Sequence, residues 1–185
     1  MESDNFETII FGGGCFWCVE SCFGLLKGIE KVISGYSGGH VANPTYEAVC
    51  TGETGHAEVV KLIYDPKILS FEQLMEVFFF LHNPTQLNRQ GNDIGTQYRS
   101  IVFYDSPEQK EKIEKAIEVS KAGGKWEGEY VTKVEPLKEF YPAETYHQGY
   151  YWVNPGTAYC SSVVGPKIAK FKAYFGQKEM LREIV

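Results

Sequence analysis

No stretch of about 20 apolar residues, the length a helix needs to cross a bilayer, occurs anywhere in this chain. Its opening, Met1-Glu-Ser-Asp-Asn5, has no basic start, so no signal peptide is read there. Basic residues are neither abundant nor clustered: 18 Lys and Arg face 24 Asp and Glu, for a net charge of −6. That removes the positive stripe a nucleic-acid binder needs. Internal repeats and low-complexity linkers are missing too, and 185 residues suit a single domain over 1–185 with a sizeable core. The five cysteines, at 15, 18, 22, 50 and 160, form an odd set without regular spacing. They do not read as a disulfide framework; they favour a reducing compartment, with thiols kept for chemistry or metal binding. A cytoplasmic enzyme is the expectation.

Against those absences stands Phe11-Gly-Gly-Gly-Cys-Phe-Trp-Cys18. Thr8–Phe11 reads as a short apolar strand and Phe16–Leu26 as a buried helix, which makes the glycines a strand-to-helix turn. Cys15 then falls at the helix N-terminus, where free N–H groups and the positive dipole end favour an anion. Such a placement lowers a thiol pKa from about 8.5 toward neutrality and makes thiolate available as a nucleophile. The glycines also thin the cover over the sulfur, favouring a reactive thiol over a buried structural cysteine.

Gly28–Ser37 reads as a second strand, and Ala57–Tyr64 as a half-buried strand closed by Asp65-Pro66. Ser70-Phe-Glu-Gln73 has the form of a capping box for a helix running to Leu81. Ser100–Tyr104 is a further strand, and Ser106-Pro107-Glu-Gln109 opens a charged helix that stops at Gly123-Gly124. Tyr130–Val134 reads as a strand, Ala143–Trp152 as a short helix, and Pro166 begins a final helix with basic residues on its outer side. This alternation, over long irregular connections, points to an α/β or α+β fold with helices on a mainly antiparallel or mixed sheet. Residues 83–97 show no periodicity, and loops of that length are usually functional.

Two further segments carry groups fit for chemistry. Tyr46-Glu-Ala-Val-Cys-Thr-Gly-Glu-Thr-Gly-His-Ala-Glu58 is a Gly-punctuated loop entering a strand, and Gly91-Asn-Asp-Ile-Gly-Thr-Gln-Tyr-Arg-Ser100 ends the long loop. Taken with Gly14-Cys-Phe-Trp17 and Tyr146-His-Gln148, these blocks stand in a recognisable order over nearly the whole chain. The sequence resembles the A-type peptide-methionine sulfoxide reductases, which reduce the S epimer of methionine sulfoxide. The resemblance implies an α/β two-layer sandwich around a mixed sheet. It implies Cys15 as the nucleophile toward the sulfoxide sulfur, Phe16 and Trp17 as walls for the substrate methyl, and Glu58 as proton donor to the sulfoxide oxygen. Tyr46 and Tyr98 are similar to hydroxyls that bind that oxygen, and Asp93 to a residue that organises the site. No cofactor or metal is implied beyond an external dithiol reductant such as thioredoxin, and no interface suggests more than a monomer.

These residue types suit the reaction. A sulfoxide oxygen must gain protons as its sulfur accepts electrons, and a carboxyl donates near neutral pH only if burial raises its pKa. Attack leaves Cys15 as a sulfenic acid, which a second thiol condenses with to give a disulfide. Many family members have a small residue where this chain has Cys18 and resolving cysteines in a Gly-rich tail that it lacks. Cys160, in the turn-rich Asn154–Cys160 segment, is the first choice of resolver, because a Pro/Gly loop can swing toward the site. Cys18 is next, by its Cys-x-x-Cys spacing. Cys22 lies one turn further, Cys50 reads as a buried structural residue, and an external small thiol stays open. His56 and His147 read as structural hydrogen-bonding residues. Two rivals rank lower: a general dithiol–disulfide oxidoreductase on Cys15 and Cys18, and a zinc module, for which only one of the usual two ligand pairs is visible.

Overall fold

The computed structural model describes residues 5–183. β1 (Glu7–Gly12) leads through the glycine turn into α1 (Phe16–Phe23), and β2 (Ile29–Ser37) follows. Next come α2 (Tyr46–Cys50), β3 (Ala57–Tyr64), α3 (Phe71–Leu81) and a small hairpin of β4 (Arg89–Gln90) and β5 (Asp93–Ile94). β6 (Ile101–Tyr104), α4 (Pro107–Gly123), β7 (Lys133–Pro136) and β8 (Phe140–Pro142) complete the sheet. The chain then closes with α5 (Tyr150–Val153) and α6 (Gly165–Gly176). Among the described residues, no helix is long and apolar enough to cross a membrane.

Local chemistry sets the helix ends. Ser70 accepts from the Gln73 amide while Gln73 reaches back to the Ser70 amide, so two orphan donors of α3 are satisfied reciprocally. Ser106 caps α4 ahead of Pro107, and Gly124, at φ 70°, ends it in the left-handed conformation a Cβ would oppose. α3 buries Leu74, Met75, Val77 and Phe78 at helical spacing against the sheet and α4.

The six-stranded sheet runs β7-β6-β1-β3-β2-β8. Every neighbouring pair is antiparallel except β6 and β7, which are parallel, so the sheet is mixed and mainly antiparallel, flanked by helices. Strand parity divides its faces. In β3, Val60, Leu62 and Tyr64 turn into the large core beneath the helices, whereas Ala57 and Val59 join a smaller cluster with Ile10, Ile101 and Phe103. Glu58 shares the parity of Val60, so the strand aims a carboxyl into the apolar side.

Several short elements depart from the sequence reading. α2 and β8 arise in segments read as irregular, β7 starts three residues after Tyr130, and residues 83–97 hold the β4–β5 hairpin and a 3₁₀ turn at Thr96–Tyr98. The helix read over 143–152 is split: a 3₁₀ turn at Thr145–His147 is separated from α5 by Gly149 at φ 67°. The last helix begins before Pro166, because a wide π-type turn over Cys160–Val164 runs straight into α6.

Candidate active site

The glycines bring strand and helix together by admitting close contacts. A Cβ at Gly12 would lie 2.5 Å from the Glu58 carbonyl oxygen, and one at Gly13 would lie 2.8 Å from the His82 ring. Gly14 takes φ 91°, turning the chain so that Cys15 becomes the N-cap of α1. The Cys15 carbonyl accepts from the amides of Cys18 and Val19 at 3.2 and 3.5 Å.

This turn leaves the Phe16 amide unsatisfied by the helix, and Glu58 takes it: Phe16 N–H donates to Oε1 at 3.1 Å. Glu58 is 2% exposed. Burial pushes its carboxyl up to about 8, and Asp93 and Cys18 add to the rise, while the Phe16 hydrogen bond opposes it. Desolvation wins over one amide. Because Oε1 can accept as a carbonyl, the bond survives protonation and the other oxygen keeps its proton available.

The thiol chemistry differs from the sequence expectation. Cys15 is only 9% exposed, so the glycines do not open the space above it. Burial pushes its pKa up rather than toward neutrality, with the neighbouring Cys18 thiol adding to the rise. The dipole of an eight-residue helix does not offset that desolvation. Cys18 moves down, because Cys15 donates a hydrogen bond to it and the Lys167 charge assists against burial. The two thiols titrate as a coupled pair, with Cys15 the harder of the two to ionise because burial opposes its charge. Tyr159 sets its hydroxyl near Cys15, and that hydroxyl donates its proton to Asp93 Oδ2 at 2.6 Å.

Aromatic rings wall the site. Trp17 stacks on Tyr150 with centroids 3.9 Å apart and planes 9° apart, and its Nε1 donates to His147 Nδ1 at 3.0 Å. His147 is thereby the neutral tautomer with its proton on Nε2. Tyr46 packs on His147 at 4.4 Å and lies roughly parallel to Phe16 at 6.4 Å. Burial first and the Glu58 charge second push the Tyr46 and Tyr98 hydroxyls above their ordinary range, so both stand near Glu58 as neutral donors. A thiol, a neutral carboxyl, phenols and an aromatic wall meet at one helix start.

Comparison with known proteins gives this arrangement its family. The model for "Peptide methionine sulfoxide reductase" matches residues 7–179. The chain belongs to the peptide methionine sulfoxide reductase family. It is 53% identical to "Peptide methionine sulfoxide reductase MsrA" of Leptospira borgpetersenii over 89% of this chain and 93% of the relative. Among solved structures it is similar to reduced Mxr1 from Saccharomyces cerevisiae (TM-score 0.78, 36% identity, 84% of this chain and 89% of that one). It is also similar to Mxr1 in complex with Trx2 (TM-score 0.55, 26% identity, 81% and 89%).

In this family member, Cys15, Phe16, Trp17, Tyr46, Glu58 and Tyr98 gather at one place, and Asp93 reaches it through Tyr159. Of the two resolving candidates, Cys18 lies one helical turn from Cys15 and each shifts the other's pKa. Cys160 is not in the loop expected for it: it is fully buried in the 160–164 turn, its amide held by Thr157. Cys50, expected to be buried, is exposed at the end of α2 and shares a hydrogen bond with the Tyr46 hydroxyl. α2 is too short and too near the surface to cover it. Sequence reasoning missed Tyr36, Glu144, Tyr150 and Tyr159. Glu144 accepts from the Tyr36 hydroxyl at 3.0 Å and the Tyr46 amide at 3.1 Å, tying α2 to the 143–148 segment. Its only sequence signal was a single acid beside Tyr146-His-Gln148. Among the described residues, no group of three or more His, Cys, Asp or Glu is arranged to hold a metal ion.

Proposed function

We propose that this protein reduces the S epimer of methionine sulfoxide, free or within polypeptide, to methionine by a thiol mechanism. The observation that carries the reading is Glu58, a carboxyl 2% exposed and pushed to about 8, bonded to the residue next to Cys15. A neutral acid beside a sulfur nucleophile is what removal of a sulfoxide oxygen requires. The names of the family and of its relatives support the same substrate.

The Cys15 sulfur attacks the sulfoxide sulfur while Glu58 protonates the oxygen. Methionine leaves, the oxygen passes to Cys15 as a sulfenic acid, and the proton of the Cys15 thiol restores Glu58. Tyr46 and Tyr98 hold the oxygen as uncharged donors, stabilising charge as it develops. Phe16 and Trp17 receive the methyl group, where sulfur–ring contacts contribute about 0.3–1.5 kcal/mol. Asp93 holds the Tyr159 hydroxyl against Cys15.

Cys18 then attacks the sulfenic sulfur, water departs and a Cys15–Cys18 disulfide forms. The position of Cys18 one helical turn from Cys15, where each shifts the other's pKa, supports this choice over Cys160. A thioredoxin-like dithiol returns both to thiols, a reading supported by the complex of the structural neighbour Mxr1 with Trx2. Such a reductant fits a cytoplasmic location. The test is single-turnover reduction by Glu58→Gln: a rate lower by about 10²–10⁴ is expected. A near-normal rate removes the carboxyl from the mechanism.

A further inference from the structure

The Cys15–Cys18 disulfide of the proposed cycle must be opened from outside, and its two sulfurs are not equivalent. Cys15 sits at the turn before α1 and keeps 9% exposure; Cys18 lies one helical turn in, at 2%, with Cys22 fully buried another turn behind it. The groups around Cys18 are also unlike those around Cys15. Lys167, from α6, lowers the pKa of Cys18 and Cys22 by its charge, lines a cleft of about 420 Å³ with His82 and Gln90, and forms no salt bridge among the described residues. Asp93 from β5 faces both the pair and Glu58, and Tyr159 sets its hydroxyl near Cys15. Cys15 is thus the less covered residue of the pair, and Cys18 the one on which the Lys167 charge acts.

We infer that the reductant attacks Cys15, and that Cys18 is the leaving thiolate, stabilised by Lys167. The inference rests on Cys18 being the resolving thiol. The reductant thiolate forms a bond to Cys15 Sγ; the Sγ–Sγ bond to Cys18 breaks, and its electron pair stays on Cys18. The second thiol of the reductant then attacks its own sulfur in the mixed disulfide and releases Cys15. Two electrons reach the enzyme, the reductant becomes a disulfide, and its two protons end on Cys15 and Cys18. Thiol–disulfide exchange is faster when the departing sulfur is the more stabilised thiolate. Attack in the other direction must reach the more covered Cys18 and expel Cys15, whose thiolate burial disfavours. The lower pKa of Cys18 agrees with the same direction.

The test uses enzyme oxidised by one turnover of methionine sulfoxide and thioredoxin whose second active-site cysteine is replaced by serine. Peptide mapping of the trapped adduct is expected to show thioredoxin on Cys15 with Cys18 free to alkylate. Thioredoxin on Cys18 overturns the inference while leaving the resolving role of Cys18 standing. A Cys15–Cys160 disulfide in the oxidised enzyme, before reductant is added, overturns that role and the inference with it. In stopped flow, Lys167→Met is expected to slow disulfide reduction roughly three- to tenfold more than it slows the methionine burst. Lys167→Arg restores most of that difference. Equal effects on the two phases, or no recovery with arginine, remove Lys167 from the step.

Discussion

The amide of Phe16 and the carboxyl of Glu58 meet at 3.1 Å across 42 residues of sequence, joining the start of α1 to the start of β3. The contact holds the proposed proton donor beside the proposed nucleophile in either protonation state. It also gives the activity a basic limb. Raising the pH through about 8 ionises Glu58, so the rate falls there even as thiolate becomes more plentiful. Glu58→Gln, already slow, is expected to lack that limb. A pH–rate profile of the sulfoxide reduction step checks both.

The same group affects stability. Glu58 is held near 8 in the fold against 4.5 as an ordinary carboxyl, so between these values the unfolded chain has released a proton that the folded chain keeps. Unfolding is therefore progressively favoured as pH rises from 4.5 to 8, and the penalty saturates above 8. Relative to the parent, Glu58→Gln gains stability over that window by on the order of 3–5 kcal/mol, and the difference is flat below it. Denaturant midpoints measured at pH 4, 6 and 8.5 test this.

Gly12→Ala places a methyl 2.5 Å from the Glu58 carbonyl oxygen and 3.2 Å from Val59. Overpacking of this kind costs about 1–3 kcal/mol, and here the strain falls on the peptide that carries the acid. A lowered Tm together with a disproportionate loss of kcat is expected. An unaltered kcat shows that β3 yields without moving Glu58.

Glu144→Ala removes the acceptor of the Tyr36 hydroxyl and the Tyr46 amide. Burial alone pulls this carboxyl up, but the amides and the Tyr36 hydroxyl hold it below its ordinary value, so the charge is bonded in the fold. Loss of these bonds is expected to cost about 1–3 kcal/mol. It also frees α2, so KM rises through Tyr46. Glu144→Gln is expected to recover part of both, measured by thermal melts and steady-state kinetics.

Burial pushes His147 below its usual pKa against the pull of Glu144 and Glu47, and the ring accepts from Trp17 only while neutral. Acidification below the ordinary histidine range puts a second N–H opposite the indole and is expected to raise KM with little change in kcat. Trp17→Phe, lacking the indole donor, is expected to have a higher KM throughout and no such acid dependence.

Elements with a repeating pattern were legible before folding. β3 came out at its own boundaries because an apolar-rich strand pattern ends sharply at Asp65-Pro66, and α3 and α4 because Ser70, Ser106 and the Gly123-Gly124 stop mark their ends. α2 and β8, with five and three residues, are too short to show a period, and tertiary pairing decides them. The gathered site residues were legible through motif order, which draws attention to Cys15 and Glu58 but says nothing of burial. Burial is where the reading failed: Cys15 is more covered than three glycines suggest, and Cys50 less covered than its apolar neighbours suggest. Tyr159 went unread because its partner Asp93 is 66 residues away.

The stacking of Tyr150 on Trp17 has a consequence in time. The indole is held on one side by α5 and at its nitrogen by a residue 130 positions later, so the wall is assembled from two segments distant in sequence. While a ribosome is still extending the polypeptide, the nucleophile exists but its pocket does not. Catalytic competence is therefore expected only once Tyr150 has been added, after the sheet already has its strands.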